Sequence, residues 1–526
     1  FKGGFMEKIK NRSILQRFLD TIEKTGNKLP HPVTLFALLA LFTLILSAIV
    51  SSFGISVEHP AENQGTITVK NLLNGEGINY IFSSMTDNFI NFAPLGVVLV
   101  TMLGIGVAER SGLISAALRA FVLSIPKSMI TGGLVFAGIM SSLASDAGYV
   151  VLPPLGAMIY LALGRHPLAV LATAFAGVSA GFSANLLLSG TDVMLSEITR
   201  DAAGMLDQEY ASNMNVAMNY YFIFVSVFLL TIVGWFVSDK IVEPRLGKFN
   251  PINAEEGIED QSEEMSALKP IEKKGLTLAI ISVFASLGLA LLLVLFPNSP
   301  MRGKEEGLSY FDSIIQSPFM NSLVPIIAIL FLIPGIVYGV TTKTIRNDKD
   351  VANQMSDTMA SMGMFIVLSF TAGQFVAYFA ESNFGIVIGV YGAELLENLN
   401  LKGIPLIIGF MVVVAFINLF IGSASAKWAM MAPIFVPIMM QLGYSGELTT
   451  MAYRVADSST NIITPLMTYF AIIIAFAQKY DKKVGIGTLI SVMFPYSLFF
   501  FITWSIMLII WMLIGLPLGP NAPIHY

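Results

Sequence analysis

Cysteine is absent from the chain, which excludes disulfides and thiolate metal sites. Histidine is nearly so: His31, His59, His166 and His525 are the four present, and all sit near expected helix ends or loops. No HExxH helix or clustered histidine site can be assembled from them, which counts against an intramembrane metalloprotease. No GxxxxGK[ST] phosphate loop occurs, which disfavours a nucleotide-driven pump within the chain. Charge is scarce as well. Charged residues make up 12% of the sequence, against roughly 25% in a soluble protein. A net charge of −5, with no basic stripe, gives no reason to expect a nucleic-acid partner.

What is abundant is hydrocarbon. Hydrophobic residues reach 55% and the mean hydropathy is +0.73. Apolar runs long enough to span a bilayer, about 20 residues each, recur along the chain. The fold class is therefore an all-α polytopic membrane protein. Spans are expected near 32–53, 89–109, 167–190, 217–239, 275–296, 321–341, 357–381, 447–478 and 485–516. Two further apolar segments, 127–165 and 403–443, are each broken near the middle by small and polar residues, and read as re-entrant hairpins. Residues 1–5 (FKGGF) precede Met6 and read as a cloning remnant. The polar, basic stretch that follows is not a cleavable signal peptide.

Charge tests this topology through the positive-inside rule. With the N-terminus (1–31) in the cytoplasm and nine alternating spans, cytoplasmic segments hold 23 of the 30 Lys and Arg residues and external ones five. Lys427 and Arg454 remain inside the apolar body. The C-terminus (517–526) then falls outside. The charged stretch 240–274 is a cytoplasmic linker dividing the chain. The segment 32–88 supplies the first span and an external loop, and 275–356 two connecting spans.

An internal repeat supports the same plan. SLASDAGYVVLPPLG (142–156) lines up with GSASAKWAMMAPIFV (422–436), placing Ser145 on Ser425 and Pro153 on Pro433. Downstream, SAGFSANLLLSGTD (179–192) answers RVADSSTNIITPLM (454–467). Units 89–239 and 357–516 each read span, connector, hairpin, broken span, span. The charge topology sends them into the membrane from opposite sides. Inverted repeats with paired discontinuous helices are a building plan of secondary transporters.

Helix breaks inside a membrane expose main-chain groups that protein or water must satisfy. Half-helix N-termini attract anions, and freed carbonyls coordinate Na⁺. Four breaks are expected: Ser145–Gly148, Ser183–Asp192, Ser423–Trp428 and Asp457–Pro465. Ser145, Ser183, Asn185, Ser459 and Asn461 are the candidate Na⁺ ligands there, Na⁺ being one of two candidate coupling ions, H⁺ the other, and no cofactor being implied. Arg454 and Asp457 lie three apart on one helix face and can pair, either to lock a break or to serve a substrate. Asp146 and Lys427 sit at the two hairpin tips, facing either substrate or water. Asp192 reads as a helix-end cap or a site residue. Trp428 reads as an interfacial anchor or a stacking surface for a ring.

The runs IGSASAKWAMMAPIFVP (421–437), YRVADSSTNIITPL (453–466) and SANLLLSGTD (183–192) resemble the p-aminobenzoyl-glutamate transporter (AbgT) family over essentially the whole chain. The resemblance implies a homodimer in the bacterial inner membrane, each protomer with its own pathway. It implies p-aminobenzoyl-glutamate as substrate and, for some members, export of sulfonamide antimetabolites. It places functional residues at Asp192, Asn418, Ser425, Trp428, Arg454, Asp457 and Pro465. One departure stands out: Gly446 occupies a turn position where the family has proline. The expectation is a secondary carrier of a small aromatic carboxylate driven by Na⁺ or H⁺, and not an enzyme. The alternatives are a carrier for another carboxylate, a channel, or an intramembrane enzyme built on Asp146, Asp192 and Asp457, for which no flanking motif speaks.

Overall fold

The structure is a computed structural model that describes residues 30, 32–58, 65–144, 147–249, 267–303, 310–315, 317–464, 467 and 469–526. Ser145, Asp146 and Pro465, the N-terminus up to residue 29 and part of the linker (250–266) lie outside the described residues.

The described chain is mostly helical. α1 (Pro32–Ser52) leads through a small antiparallel ribbon, β1 (Ser56–Glu58) against β2 (Thr66–Thr68), to α2 (Gly75–Ile90). Next come α3 (Ala93–Arg110), α4 (Leu113–Ser124), α5 (Ile130–Ser141) and α6 (Ala147–Ala162). α7 (Pro167–Phe175) runs into a π-turn at Ala176–Ala180, and α8 (Gly190–Gly204), α9 (Gln208–Asn213), α10 (Tyr220–Val237) and α11 (Glu243–Leu246) follow. Past the linker lie α12 (Pro270–Leu295), α13 (Tyr310–Ile315), α14 (Pro318–Asn321), α15 (Leu323–Thr342) and α16 (Asp348–Ser361). The last stretch holds α17 (Gly363–Glu381), α18 (Phe384–Asn398), α19 (Ile404–Asn418), α20 (Ala424–Gln441), α21 (Gly446–Asn461), α22 (Phe470–Tyr480) and α23 (Ile486–Ile514).

Among the described residues, seven helices are long and apolar enough to cross a membrane. The number is eight if the pair 113–124 and 127–141, bent by 111°, forms one span. Residues 75–88, expected as loop, are helical instead. Asn74 accepts from Gly77 N at 2.7 Å, closing the first turn of α2, and Asn88 and Gln374 join that helix to α17 at 3.0 Å.

Both hairpin segments and both broken spans are interrupted, but not always where the polar residues suggest. The segment 403–443 breaks at 419–423, so Ala424 through Trp428 already belong to α20. Ser423 caps that helix, accepting from Ala426 N at 3.3 Å. Likewise α21 continues through Asp457 and Asn461 before the chain uncoils at Ile462. Polar side chains do not end a helix that is enclosed by protein on every side, and all sixteen residues of α21 are buried.

The two stretches share a pattern of packing. α4 lies on α6 as α18 lies on α20; α5 lies on the π-turn after α7 as α19 lies on α21. Across the halves, α20 packs on α8 and α6 packs on α22. Small residues permit the closest approaches. A Cβ at Gly138 would fall 2.8 Å from the Gly177 Cα, so α5 and the π-turn touch backbone to backbone, as membrane helices do where both sides are small. Gly138→Leu is expected to lower stability by about 1–3 kcal/mol through overpacking. Gly409→Ala, whose Cβ would meet nothing within 4 Å, should leave it unchanged. Thermal unfolding of the detergent-solubilised protein reads both.

Candidate functional site

The breaks converge. Ser179, in the π-turn, donates to Met467 Sδ in the second break at 3.2 Å. Tyr149, near the start of α6, stacks on Tyr469 with ring centroids 4.2 Å apart and planes 6° from parallel. On the other side, Trp428 of α20 donates from Nε1 to Thr199 Oγ1 of α8 at 2.9 Å. Thr199 in turn shares a 2.6 Å hydrogen bond with Thr450 of α21. The segments 127–165 and 403–443 are thus each held by residues flanking the break in the other half.

Two buried ion pairs organise the centre. Arg454, on α21, reaches back to the first break: its Nη2 lies 2.7 Å from Asp192 Oδ1 and 3.4 Å from the Ser183 carbonyl. The other Asp192 oxygen caps α8, accepting from Ser189 N at 2.7 Å and Ser189 Oγ at 2.8 Å. Asp192 is therefore both the cap and an ion-pair partner. The second pair joins Lys427 to Asp457. Lys427 also donates to Asn418 Oδ1 and to the Ile421 carbonyl, the latter at 3.2 Å. Asn418 is fixed from its other end, donating to Asp457 O at 2.7 Å, Thr460 Oγ1 at 2.8 Å and Asn461 Oδ1 at 3.0 Å.

This geometry corrects several expectations. Arg454 and Asp457 share a helix face but do not pair with each other, because each finds a better-aligned opposite charge on another element. Lys427 does not snorkel to water; its exposure is 0%. Trp428 is neither an interfacial anchor nor an open stacking surface. It is fully buried, and Tyr453 covers its face at a centroid distance of 4.4 Å. Ser425 is half-buried at the start of α20, 3.3 Å from Ser423 Oγ.

The expected Na⁺ ligands are largely engaged with protein. Asn461 Oδ1 accepts from Asn418, and Ser459 donates to the Val455 carbonyl of its own helix at 2.6 Å. Asn185 donates to Ser142 Oγ at 2.9 Å and accepts from Leu187 N at 3.3 Å. Ser183 Oγ differs: it is buried without a hydrogen-bond partner, as are Arg454 Nε and Ser458 Oγ. Ser458 stands one turn beyond Arg454 on the same face, and Arg454 touches the Ser183 carbonyl. Two residues with unpartnered hydroxyls therefore neighbour a guanidinium whose own Nε is unpartnered. Buried polar groups left without partners mark places where a ligand or water acts. No group of three or more His, Asp or Glu residues that could hold a metal ion occurs among the described residues.

The whole chain bears out the family. A model of the AbgT transporter family matches residues 17–526. The p-aminobenzoyl-glutamate transport protein of Escherichia coli K12 is 37% identical over 517 residues, covering 98% of each chain. This chain belongs to the AbgT family. Two solved family structures align with it. The YdaH transporter of Alcanivorax borkumensis has 42% identity and a TM-score of 0.86, over 93% of this chain and all of that one. MtrF of Neisseria gonorrhoeae, described with a class of antimetabolite efflux pumps, has 45% identity and a TM-score of 0.89, over 96% of this chain and all of that one. The protein is an integral membrane transporter.

Sequence reasoning missed the residues that serve this AbgT transporter's site from the side: Thr199, Thr450, Tyr453, Ser458, Tyr149 and Tyr469. Tyr453 and Asp457 do share the four-residue spacing of one helix face, which was a usable signal. The Tyr149–Tyr469 stack had none. Gly446 also gains a meaning. Its N–H donates to Tyr210 Oη at 3.0 Å, and that hydroxyl donates to Glu447. Proline at this position has no N–H to give. The C-terminal residues close over the same corner: Ser445 Oγ donates to Pro523 O at 2.6 Å and Tyr526 Oη to Asp207 at 2.7 Å. Burial, reinforced by the Asp207 carboxylate it serves, pushes the Tyr526 hydroxyl pKa up and keeps it a donor.

A buried charge stripped of its partner costs about 3–5 kcal/mol, whereas removing both can be nearly neutral. Arg454→Met should therefore lower the unfolding midpoint sharply. Arg454→Met combined with Asp192→Asn should regain most of the loss. Equal losses in the single and double variants would show that the pair contributes nothing.

Proposed function

We propose that this AbgT transporter is a secondary active carrier in the bacterial inner membrane. Its substrate is p-aminobenzoyl-glutamate or a related aromatic carboxylate, and its driving force is a gradient of Na⁺ or H⁺. Sulfonamide antimetabolites are a second substrate class, moved outward. The observation that carries the reading is the meeting of the two broken spans at Arg454, which reaches from one to Asp192 and the Ser183 carbonyl of the other, with unpartnered polar groups beside it. Alternating access needs such a centre, reached in turn from opposite sides.

In this reading the chain has nine spans and two opposed re-entrant hairpins, 127–165 and 403–443, within inverted repeats 89–239 and 357–516. The paired packing of the two halves supports it. The N-terminus lies inside, the C-terminus outside, and two protomers form a homodimer with separate pathways.

The chemistry assigns roles. Arg454 keeps one face on Asp192 and presents Nε to a substrate carboxylate, with Ser183 and Ser458 as neighbouring hydroxyls. Trp428 and Asn418 act as positioning residues, one through Thr199 and the other through α21. Asp192 and Asp457 compensate the two cations, and Ser425 and Pro465 shape the hairpin and the break.

Labelled p-aminobenzoyl-glutamate flux in proteoliposomes, with Na⁺ and proton gradients imposed separately and in both directions, tests the proposal. Flux should saturate and follow at least one gradient; indifference to both would sink the carrier reading. Arg454→Lys keeps the charge but loses the guanidinium fork. It should raise the apparent KM about tenfold, the loss of one charge-assisted hydrogen bond.

A further inference from the structure

Lys427 raises a question that the transport reading leaves open. Its ammonium lies among three oxygens of different origin. One is the Asp457 carboxylate, one the Asn418 side-chain carbonyl, and one the Ile421 main-chain carbonyl at 3.2 Å. These are hard oxygen donors of the kind that bind alkali and alkaline-earth cations. A carbonyl freed by a helix break beside a carboxylate is also how carriers build Na⁺ sites. The cage does not depend on the lysine for its shape. Asn418 is oriented by three acceptors on α21, and Asp457 is carried on that same helix.

The lysine reaches the cage because of where it sits. Helical side chains point back toward their own N-terminus, and Lys427 stands fourth in α20, just after the 419–423 break. Its stem runs back over that break and delivers Nζ to the oxygens. An ammonium has three donors and no acceptor, and here it meets three oxygens. The partial positive charge of a helix N-terminus disfavours a cation there, so the oxygens are what hold it. On the first hairpin the aligned position is Ala147, which offers no charge.

We propose that Lys427 is a tethered cation that fills an alkali-ion cage at the tip of the second hairpin. The wild-type protein therefore binds no free Na⁺ at Asp457, and shortening the lysine converts the cage into a Na⁺ site. The inference rests on the carrier reading only for its bearing on coupling. The occupancy itself is a property of the folded protein and is measured without transport.

The test compares purified wild-type protein with Lys427→Ser and Lys427→Ala in sodium chloride and in choline chloride at equal ionic strength. Unfolding midpoint, size-exclusion profile and tryptophan fluorescence are the readouts, Trp428 being the next residue. The wild-type midpoint should be the same in both salts. Each variant should be destabilised in choline and regain several degrees in a saturable way with Na⁺, as linkage requires of a ligand that binds only the folded state. Adding Asp457→Asn to either variant should abolish that response. Saturable Na⁺ stabilisation of the wild type that is lost in Asp457→Asn would overturn the proposal. So would variants that ignore Na⁺, or that aggregate equally in both salts. Failure of flux in proteoliposomes alters none of these readings, so the two proposals stand or fall separately.

Discussion

Main-chain N–H and C=O groups released from a helix inside a membrane must find partners within the protein. Everything central in this structure answers to that constraint. The first break is met by Arg454 on its Ser183 carbonyl, and the break at 419–423 by Lys427 on the Ile421 carbonyl. Both cations then need anions, and Asp192 and Asp457 provide them. Asp192 in turn caps α8, so the ion pair also fixes where the helix after the first break begins. Uncoiling four segments thus commits a set of charged residues that a straight bundle would not need.

The aromatic contacts serve the same end by a different route. Trp428 and Tyr453 stack where α20 meets α21, and Trp428 hydrogen-bonds across to α8. Tyr149 and Tyr469 do the equivalent between α6 and the second break. Large flat side chains bury much area with few rotatable bonds. They suit a junction where backbones are irregular and cannot interlock as regular helices do.

Composition and hydropathy made the membrane class legible, and the motifs made the family so. Much of the centre was legible too: Asp192, Lys427, Arg454 and Asp457 stand out because a charge in hydrocarbon is conspicuous, whereas Asn418 was marked by the family resemblance alone. Their pairing was not. Spacing along a helix suggests Arg454 with Asp457, but partners on other elements decide the matter, and a helix-face rule sees none of them. Break positions were misread for a related reason. Ser, Asn and Asp favour helix ends when solvent competes, yet in α21 every residue is buried and the turns persist through Asn461. Trp428 illustrates the remaining limit: sequence shows an aromatic beside a cation, while its depth depends on Tyr453 and Thr199.

The span between Arg454 and Asp192, 262 residues, also has a meaning in time. Ribosomes add about 5–20 residues per second, so the aspartate is made roughly 13–50 s before its arginine. During that interval the first half is in or near the bilayer with a carboxylate that has no permanent counter-charge. The ion pair therefore cannot close until the second half has been made, so the two halves complete one site only after both exist.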